Sequence, residues 1–210
     1  MPNLPTRALR SASTVRPAWV LTGAGLLTAL LTAAWVLLDT GICPPTDSEH
    51  HLFNAILYAR TLHLGGLPAL WELLRTTFVG WPPASYLLLY GPLAWAISDD
   101  AHMVRIYSVV LIPVILWGTY FLGRHLGSRR AGTLAALLTL FTFGISGQLR
   151  QVSIDLPGTA AVLMAMAAML STHHFQRTWR TLLFGAAMGL CLFTRVQSVF
   201  YLGGPVLFWV

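Results

Sequence analysis

Long apolar runs separated by short polar segments dominate the sequence and predict membrane-spanning helices. The first run covers residues 18–38 and is long enough to span a membrane, since a hydrocarbon core about 30 Å thick takes roughly 20 helical residues. Further runs follow at 103–122, 131–149, 157–172, 181–194 and from 196 onward. The pattern predicts an all-α, polytopic membrane protein with five transmembrane helices and a sixth still apolar at Val210.

The segment between the first two spans, residues 39–101, differs from the rest in composition. It contains Gly, Pro, His and Trp together with all but one of the acidic residues. Apolar residues recur at helical spacing over 48–63, which predicts an amphipathic interfacial helix, and a second short helix is predicted over 68–78. The apolar run at 85–97 is interrupted by a Gly-Pro pair and is shorter than a span requires. We expect a large external loop in which this run lies on the surface or re-enters.

Composition supports a membrane protein and excludes a water-soluble domain. Hydrophobic residues make up 56% of the chain and charged residues 10%, whereas soluble domains contain roughly 25% charged residues. The net charge of +6 does not indicate nucleic-acid binding, because the arginines lie in short loops rather than along one amphipathic stripe. The bilayer is therefore the expected partner, and nucleic acid is not.

The distribution of charge orients the predicted spans. With the N-terminus inside and 85–97 not crossing, all acidic residues lie outside and the inner segments hold only basic residues, as the positive-inside rule requires. We therefore expect a multi-pass protein of the inner or plasma membrane with a cytoplasmic tail at 1–17. The arginines on the inner side are Arg7, Arg10, Arg16, Arg124, Arg129, Arg130, Arg177 and Arg180.

The predicted topology gathers ionisable residues on the external face. They are Asp47 and Glu49 in the loop, Arg150 and Asp155 between the third and fourth spans, and Arg195 after the fifth. Ionisable groups near membrane depth are costly unless they are paired or face water, which favours a functional role. A structural role stays open for each, because the acids suit helix capping and the arginines suit snorkelling to the headgroups.

Histidines accompany the acids in and beside the loop, at His50, His51, His63 and His102. A His-His pair beside two carboxylates can bind a metal ion, but adjacent helical residues do not share a face, and no tetrahedral ligand set is evident. We predict no metal ligands and no certain cofactor, and whether a divalent cation takes part stays open.

A series of short motifs runs along the chain in a fixed order. No single motif identifies a protein family. The order of the motifs and the spacing between them are the useful signal. They are Asp47-Ser48-Glu49-His50-His51-Leu52-Phe53-Asn54-Ala55, Pro82-Pro83 with Tyr86, Arg105, Gly123-Arg124-His125-Leu126-Gly127-Ser128-Arg129-Arg130-Ala131-Gly132, Arg150 with Asp155, and Thr194-Arg195.

These motifs together resemble the GT-C superfamily of membrane glycosyltransferases, in the branch of the protein O-mannosyltransferases and the aminoarabinose and Rgt-type transferases. The resemblance covers residues 18–210 and implies a GT-C-like transmembrane domain with its external loop at 39–101. The sequence departs from the family's Asp-Glu-x-x-Tyr pattern at Ser48 and His51. Because relatives run on past this length, we expect the chain to be truncated at its C-terminal end.

The resemblance implies inverting transfer of a sugar from a polyprenyl-phosphate donor to a protein, lipid or glycan acceptor on the external face. It implies that Asp47 is the catalytic base, with Asp155 and Glu49 as further catalytic residues. Arg195 and Arg150 would bind the donor phosphate, since a guanidinium can bind phosphate bidentately. The residues expected at the acceptor or loop site are His50, His51 and Tyr86.

Two other functional classes stay open. A transporter is expected to carry polar or broken segments at mid-membrane depth, whereas the polar residues here concentrate in one external loop. A non-catalytic or truncated membrane scaffold would keep the fold without the chemistry. The sequence identifies neither the sugar, the carrier nor the acceptor.

Overall fold

The computed structural model describes residues 17–39, 47–76 and 84–209. Within these ranges every regular element is a helix, which confirms the predicted all-α class. The predicted cytoplasmic tail up to residue 16, the Pro82-Pro83 motif and the side chain of Asp47 lie outside the described residues.

Ten α-helices follow one another along the described ranges. They are α1 (Pro17–Leu38), α2 (Asp47–Thr76), α3 (Gly91–Ala96), α4 (Ala101–Ile106), α5 (Ile112–Leu126), α6 (Arg129–Phe141), α7 (Phe143–Gln148), α8 (Asp155–Ser171), α9 (Thr178–Thr194) and α10 (Ser198–Trp209). A π-helical turn, Tyr86–Tyr90, leads into α3, and a 3₁₀ turn, Tyr107–Leu111, joins α4 to α5.

Two helical stretches in the described ranges are long and apolar enough to cross a membrane. They are Pro17–Leu38, of 22 residues, and Ala101–Leu126, of 26 residues, which combines α4, the 3₁₀ turn and α5. The apolar helices α8, α9 and α10 are shorter. Large apolar side chains face outward on both kinds of helix, as on α1 and α10, where Leu38 is 80% and Phe208 is 92% exposed. A contiguous apolar surface of this kind is expected of a lipid-facing helix, while the number of crossings stays a prediction.

The two helices predicted at 48–63 and 68–78 are present in the described part of the segment between α1 and α4, with one difference. They form the two halves of α2, which breaks at Gly66, and residues 77–78 of the second prediction lie outside the described residues. The backbone of Gly66 is left-handed, with φ of 62°, a conformation that favours glycine. Pro68, two residues later, lacks the N–H that a continuous helix would need.

The run at 85–97 does not form a spanning helix. The π-helical turn and α3 together extend only about 16 Å, roughly half of a hydrocarbon core. They pack instead on α2, where Tyr58, Tyr86 and Tyr90 share a buried core. This core also includes Val104, Tyr107, Val152 and Ile154, so it joins α2 and α3 to the start of α4 and to the segment before α8.

The predicted span at 131–149 is wrong as a single helix. It divides at Thr142, whose backbone is extended, into α6 and α7. The Thr142 hydroxyl and N–H both donate to the Thr139 carbonyl, so the side chain closes the end of α6. Hydroxyls that bond to nearby backbone compete with helix in this way.

A tight turn between α5 and α6 explains the glycines of the Gly123-to-Gly132 motif. A Cβ atom on Gly123 would lie 2.8 Å from the Cα of Gly132. A Cβ atom on Gly132 would lie 2.5 Å from the Tyr120 carbonyl oxygen. The two helices therefore pack backbone against backbone, which no larger residue at these positions permits.

Replacing Gly132 with alanine is expected to destabilise the protein by about 1–3 kcal/mol, the usual cost of overpacking. The clash is with backbone atoms, which cannot move aside as the end of a side chain can. Thermal unfolding of the purified protein in detergent would measure the effect. Gly185→Ala on α9 is the control, because nothing lies within 4 Å of its Cβ position and alanine favours helix over glycine. Equal midpoints for the two variants would contradict the packing argument.

The helices α8, α9 and α10 alternate in direction. Asp155 begins α8 and contacts Arg195 at the end of α9. At the other end of α8, Thr172 accepts a hydrogen bond from the indole of Trp209 at the end of α10. The α8–α9 turn, with Arg177 and Arg180, therefore lies at the opposite end of the bundle from Asp155. The α5–α6 turn, with Arg124, Arg129 and Arg130, lies at that end too, because Arg105 near the start of the Ala101–Leu126 stretch contacts Arg150 at the Asp155 end.

Candidate functional site

Some of the predicted site residues lie where several helix ends come together. The segment 149–154, between α7 and α8, lies at the centre of this region and is called the α7–α8 loop. Ser48 at the start of α2 donates to the Oε1 of Gln151 in this loop at 2.9 Å. Arg105 of α4 donates to the carbonyl of Arg150 at 3.2 Å. Three parts of the chain that are far apart in sequence are thus joined at one end of the bundle.

Arg105 is the buried ion of this region. Its side chain is 6% exposed, and its Nη2 lies 2.9 Å from the Oδ2 of Asp39, at the end of α1. The guanidinium also lies over the ring of Trp35, 5.8 Å from the centroid. A buried charge is tolerated only when it is paired and hydrogen-bonded. Arg105 meets both conditions and fastens the end of α1 and the α7–α8 loop to α4.

Arg150 is the exposed cation beside it. Its guanidinium lies over the ring of Trp35, 4.7 Å from the centroid, a distance at which a cation–π interaction is favourable. Within the described ranges this side chain forms no ion pair and no hydrogen bond. It is therefore held by its stacking contact while its N–H groups stay available to an anion.

A hydrogen bond between Ser48 and Gln151 holds two predicted site residues, Asp47 and Arg150, near each other. Ser48 is 5% exposed, and the amide of Gln151 that accepts its hydrogen bond donates in turn to Gln148 at 3.1 Å. Ser48 follows Asp47 in the chain, and Gln151 follows Arg150. The hydrogen bond therefore brings the backbone of Asp47 close to that of Arg150, which gives the family departure at Ser48 a structural role.

The α7–α8 loop is also fixed from the core side. The buried hydroxyl of Tyr90 donates to the Ser153 carbonyl at 3.1 Å and lies 2.9 Å from the Oγ of Ser108. Ser108 donates in turn to the Gln151 carbonyl. The Oγ of Ser153 accepts from the N–H of Asp155 at 2.9 Å. These bonds satisfy the loop's buried polar groups and fix the position at which α8 begins.

Asp155 and Arg195 form an ion pair in the wall of a cavity. Both side chains are partly exposed, at 42% and 33%. The cavity has a volume of about 460 Å³, and the side chains of Val162, Met166 and Tyr201 also line it. A pocket lined by a cation together with apolar side chains suits an amphiphilic anion.

The remaining predicted residues lie in two different environments. His51 and Tyr86 are buried, and the Nδ1 of His51 lies 2.5 Å from the Tyr86 hydroxyl. Glu49 and His50 on the same helix are exposed. The contact between His51 and Tyr86 holds the start of α2 against the π-helical turn, while Glu49 and His50 face outward. Within the described ranges no three metal-binding side chains cluster together.

Sequence reasoning missed several residues that build this site. Trp35, Asp39 and Gln151 received no role, and Arg105 was matched to a motif without one. The available signal was the position of each ionisable residue at the edge of an apolar run, where a charge needs a partner. The partner itself lies on another helix, so spacing along the chain could not identify it.

Comparison with known proteins identifies the family. The sequence model of the dolichyl-phosphate-mannose-protein mannosyltransferase family matches residues 82–210, a range that includes Arg105, the α7–α8 loop, Asp155 and Arg195. No curated protein and no solved structure matches the chain. The family match confirms the resemblance to GT-C glycosyltransferases. Because it covers more than half of the sequence, the chain belongs to the dolichyl-phosphate-mannose-protein mannosyltransferase family.

Proposed function

We propose that this protein transfers a sugar, with inversion, from a polyprenyl-phosphate donor to an acceptor hydroxyl of a protein, lipid or glycan. The reaction takes place at the external face of the inner or plasma membrane, with the N-terminus in the cytoplasm. The observation that carries the proposal is the Asp155–Arg195 ion pair in the wall of a cavity that is also lined by apolar side chains. A polyprenyl phosphate is an anion on a long apolar chain and matches both features.

Arg195 is the proposed ligand of the donor phosphate. Its contact with Asp155 uses Nη1, and the guanidinium has further N–H groups to offer. As the sugar leaves, the lipid phosphate gains negative charge, and a cation already in place stabilises that charge. The role proposed for Asp155 is to hold this guanidinium in the cavity wall and to orient the acceptor.

Asp47 is the proposed catalytic base. Glu49, which is on the same helix, and Arg150 are proposed to assist it. The Ser48–Gln151 hydrogen bond places the first turn of α2 beside the α7–α8 loop. A carboxylate there can accept the proton of an acceptor hydroxyl as it attacks the anomeric carbon. Arg150 is a second cation for the phosphate, because its stacking on Trp35 leaves its N–H groups available.

The arrangement of charges favours the proposed orientation. The acids and cations of the site lie at one end of the bundle, and the turns that carry Arg124, Arg129, Arg130, Arg177 and Arg180 lie at the other. Basic turns are expected on the cytoplasmic side. The site would therefore be external, on the same side as the predicted loop at 39–101.

A transfer assay in membranes tests the proposal. The full-length gene product is supplied with radiolabelled polyprenyl-phosphate sugars, and transferred label is measured. We expect Arg195→Gln to lower transfer by roughly 10²-fold, the size of effect seen when one charge-stabilising donor is removed. Arg195→Lys should lose less, because it keeps the charge but not the planar fork. Arg177→Gln, exposed at the opposite end, is the control and should retain full transfer.

Two outcomes would contradict the proposal in different ways. No transfer from any donor by the folded wild-type protein would favour the scaffold alternative. Full transfer by Arg195→Gln would be consistent with a glycosyltransferase but would show that Arg195 is not the phosphate ligand.

A further inference from the structure

A second cavity lies between α2 and the end of α3. It has a volume of about 400 Å³ and shares no lining residue with the Asp155–Arg195 cavity. The residues that matter for its chemistry are Arg60, His63, Leu64, Trp95, Ile97 and Asp99. None of them has a role in the proposed transfer reaction.

The polar wall of this cavity carries opposite charges side by side. The Nε of Arg60 donates to the Oδ2 of Asp99 at 2.7 Å. This hydrogen bond holds the pKa of Asp99 below its usual range, so the carboxylate is ionised at neutral pH. Neither terminal nitrogen of Arg60 has a partner within residues 17–39, 47–76 and 84–209. The wall therefore offers N–H donors to an anion and a carboxylate to a cation.

The ion pair is also free to adjust around a ligand. The Arg60 and Asp99 side chains are 66% and 44% exposed, and exposed pairs contribute little to folding stability. His63, one turn further along α2, lines the same wall and is exposed. A ligand that replaces or extends the Arg60–Asp99 contact would cost the fold little.

The rim of the cavity is apolar and unusually exposed. Leu64 is 86%, Ile97 is 61% and Trp95 is 52% exposed. Beyond the break at Gly66, the same helix exposes Leu67 and Trp71. Exposed tryptophan and aliphatic side chains beside charged groups are typical of the level of lipid headgroups. The cavity thus combines an exposed pair of opposite charges with neighbouring apolar side chains that suit acyl chains.

We infer that this cavity binds a zwitterionic phospholipid whose headgroup carries a phosphate and a primary ammonium, as phosphatidylethanolamine does. The phosphate would accept from Arg60 and His63, and the ammonium would donate to Asp99. The face of Trp95 attracts a cation and adds to the ammonium contact. The acyl chains would lie along Leu64 and Ile97.

The arrangement discriminates among headgroups. A choline headgroup has no N–H to donate to Asp99, and an anionic headgroup without an amine would leave that carboxylate facing negative charge. A soluble phosphoethanolamine has the same polar groups but gains nothing from the apolar rim. The expected order of binding is therefore phosphatidylethanolamine first, with phosphatidylcholine and phosphatidylglycerol well below it.

Native mass spectrometry of the full chain tests this inference. The protein is reconstituted in nanodiscs with equal amounts of the three phospholipids, and the lipids retained on release are counted. We expect phosphatidylethanolamine to be enriched roughly fivefold over phosphatidylcholine, the size of one exposed charged contact. Asp99→Asn, Arg60→Gln and Trp95→Leu should each reduce that enrichment. Glu72→Gln is the matched control, because it removes another exposed ion pair on α2, with Arg75.

Other outcomes would overturn the inference. Equal retention of the three lipids, or an enrichment that survives both Asp99→Asn and Arg60→Gln, would show that lipid binds here without using the charges. Preferred retention of phosphatidylglycerol would indicate a simple cationic patch. Displacement of the bound lipid by equimolar soluble phosphoethanolamine would assign the site to a water-soluble ligand. Sugar transfer does not enter the readout, so the test is independent of the proposed enzyme function.

Discussion

Replacing Asp47 with asparagine is expected to lower sugar transfer by roughly 10²- to 10⁴-fold, the range contributed by a general base. Asparagine has nearly the same shape but cannot accept the proton of an acceptor hydroxyl. It is as good as aspartate at the start of a helix, and α2 begins at this residue. The substitution therefore separates catalysis from helix capping. Label transfer in membranes, normalised to the amount of folded protein, measures the effect.

Glu49→Gln is compared with Asp47→Asn, because the proposal gives Glu49 only a supporting role. Both variants remove one negative charge from the first turn of α2, where an acid interacts with the helix dipole by about 0.3–1 kcal/mol. An equal loss of sugar transfer in the two variants would point to that shared effect. A much larger loss of transfer in Asp47→Asn would support Asp47 as the base. Wild-type transfer by Asp47→Asn would refute the base assignment.

The sequence predicts the helices well where the apolar pattern and the helix boundaries coincide. The ends of α1, α8 and α9 lie close to their predicted positions because polar or ionisable residues flank each run. The division of 131–149 at Thr142 was missed, since the run is apolar on both sides of it. Extended backbone at Thr142 follows from side-chain hydrogen bonding and packing, and hydrophobic periodicity contains no information about either.

The sequence predicts that the site residues lie on one face of the membrane but does not pair them. The predicted topology brings Asp155 and Arg195 to the same side, and the structure makes them direct partners. Forty residues separate them, so their contact depends on how α8 packs on α9. Arg105 and Asp39 are still further apart, at 66 positions. Such pairs are set by tertiary packing, which a single sequence does not specify.

The structure gives a role to the two departures from the motif that residues 47–55 resemble, which lie outside the family match at 82–210. Ser48 stands where that motif has a second acid and hydrogen-bonds to Gln151, while His51 stands where it has a tyrosine and bonds to Tyr86. Both side chains are buried, and a carboxylate at position 48 would need a different partner there. The positions therefore support the start of α2 in this chain.

Replacing Arg105 with leucine is expected to lower the stability of the protein by about 1–3 kcal/mol, because the arginine of this ion pair is buried while the Asp39 side chain is 27% exposed. The change removes the cation that faces Asp39 and the donor to the Arg150 carbonyl. Arg75→Leu is the matched control, because it breaks the Arg75–Glu72 pair, whose side chains are 67% and 54% exposed. An exposed pair contributes roughly 0–1 kcal/mol. Thermal unfolding in detergent compares the two variants.

Arg105→Lys separates stability from the position of the α7–α8 loop. Lysine keeps a positive charge opposite Asp39, but its single ammonium lacks the fixed fork with which arginine reaches two partners at once. We expect this variant to unfold near the wild-type temperature and to transfer sugar more slowly, because the Arg150 carbonyl loses its donor. Equal unfolding midpoints for Arg105→Leu and Arg75→Leu would show that the buried pair adds no stability. If Arg105→Lys is stable and transfers sugar at the wild-type rate, the α7–α8 loop holds Arg150 and Asp155 in place without the hydrogen bond from Arg105.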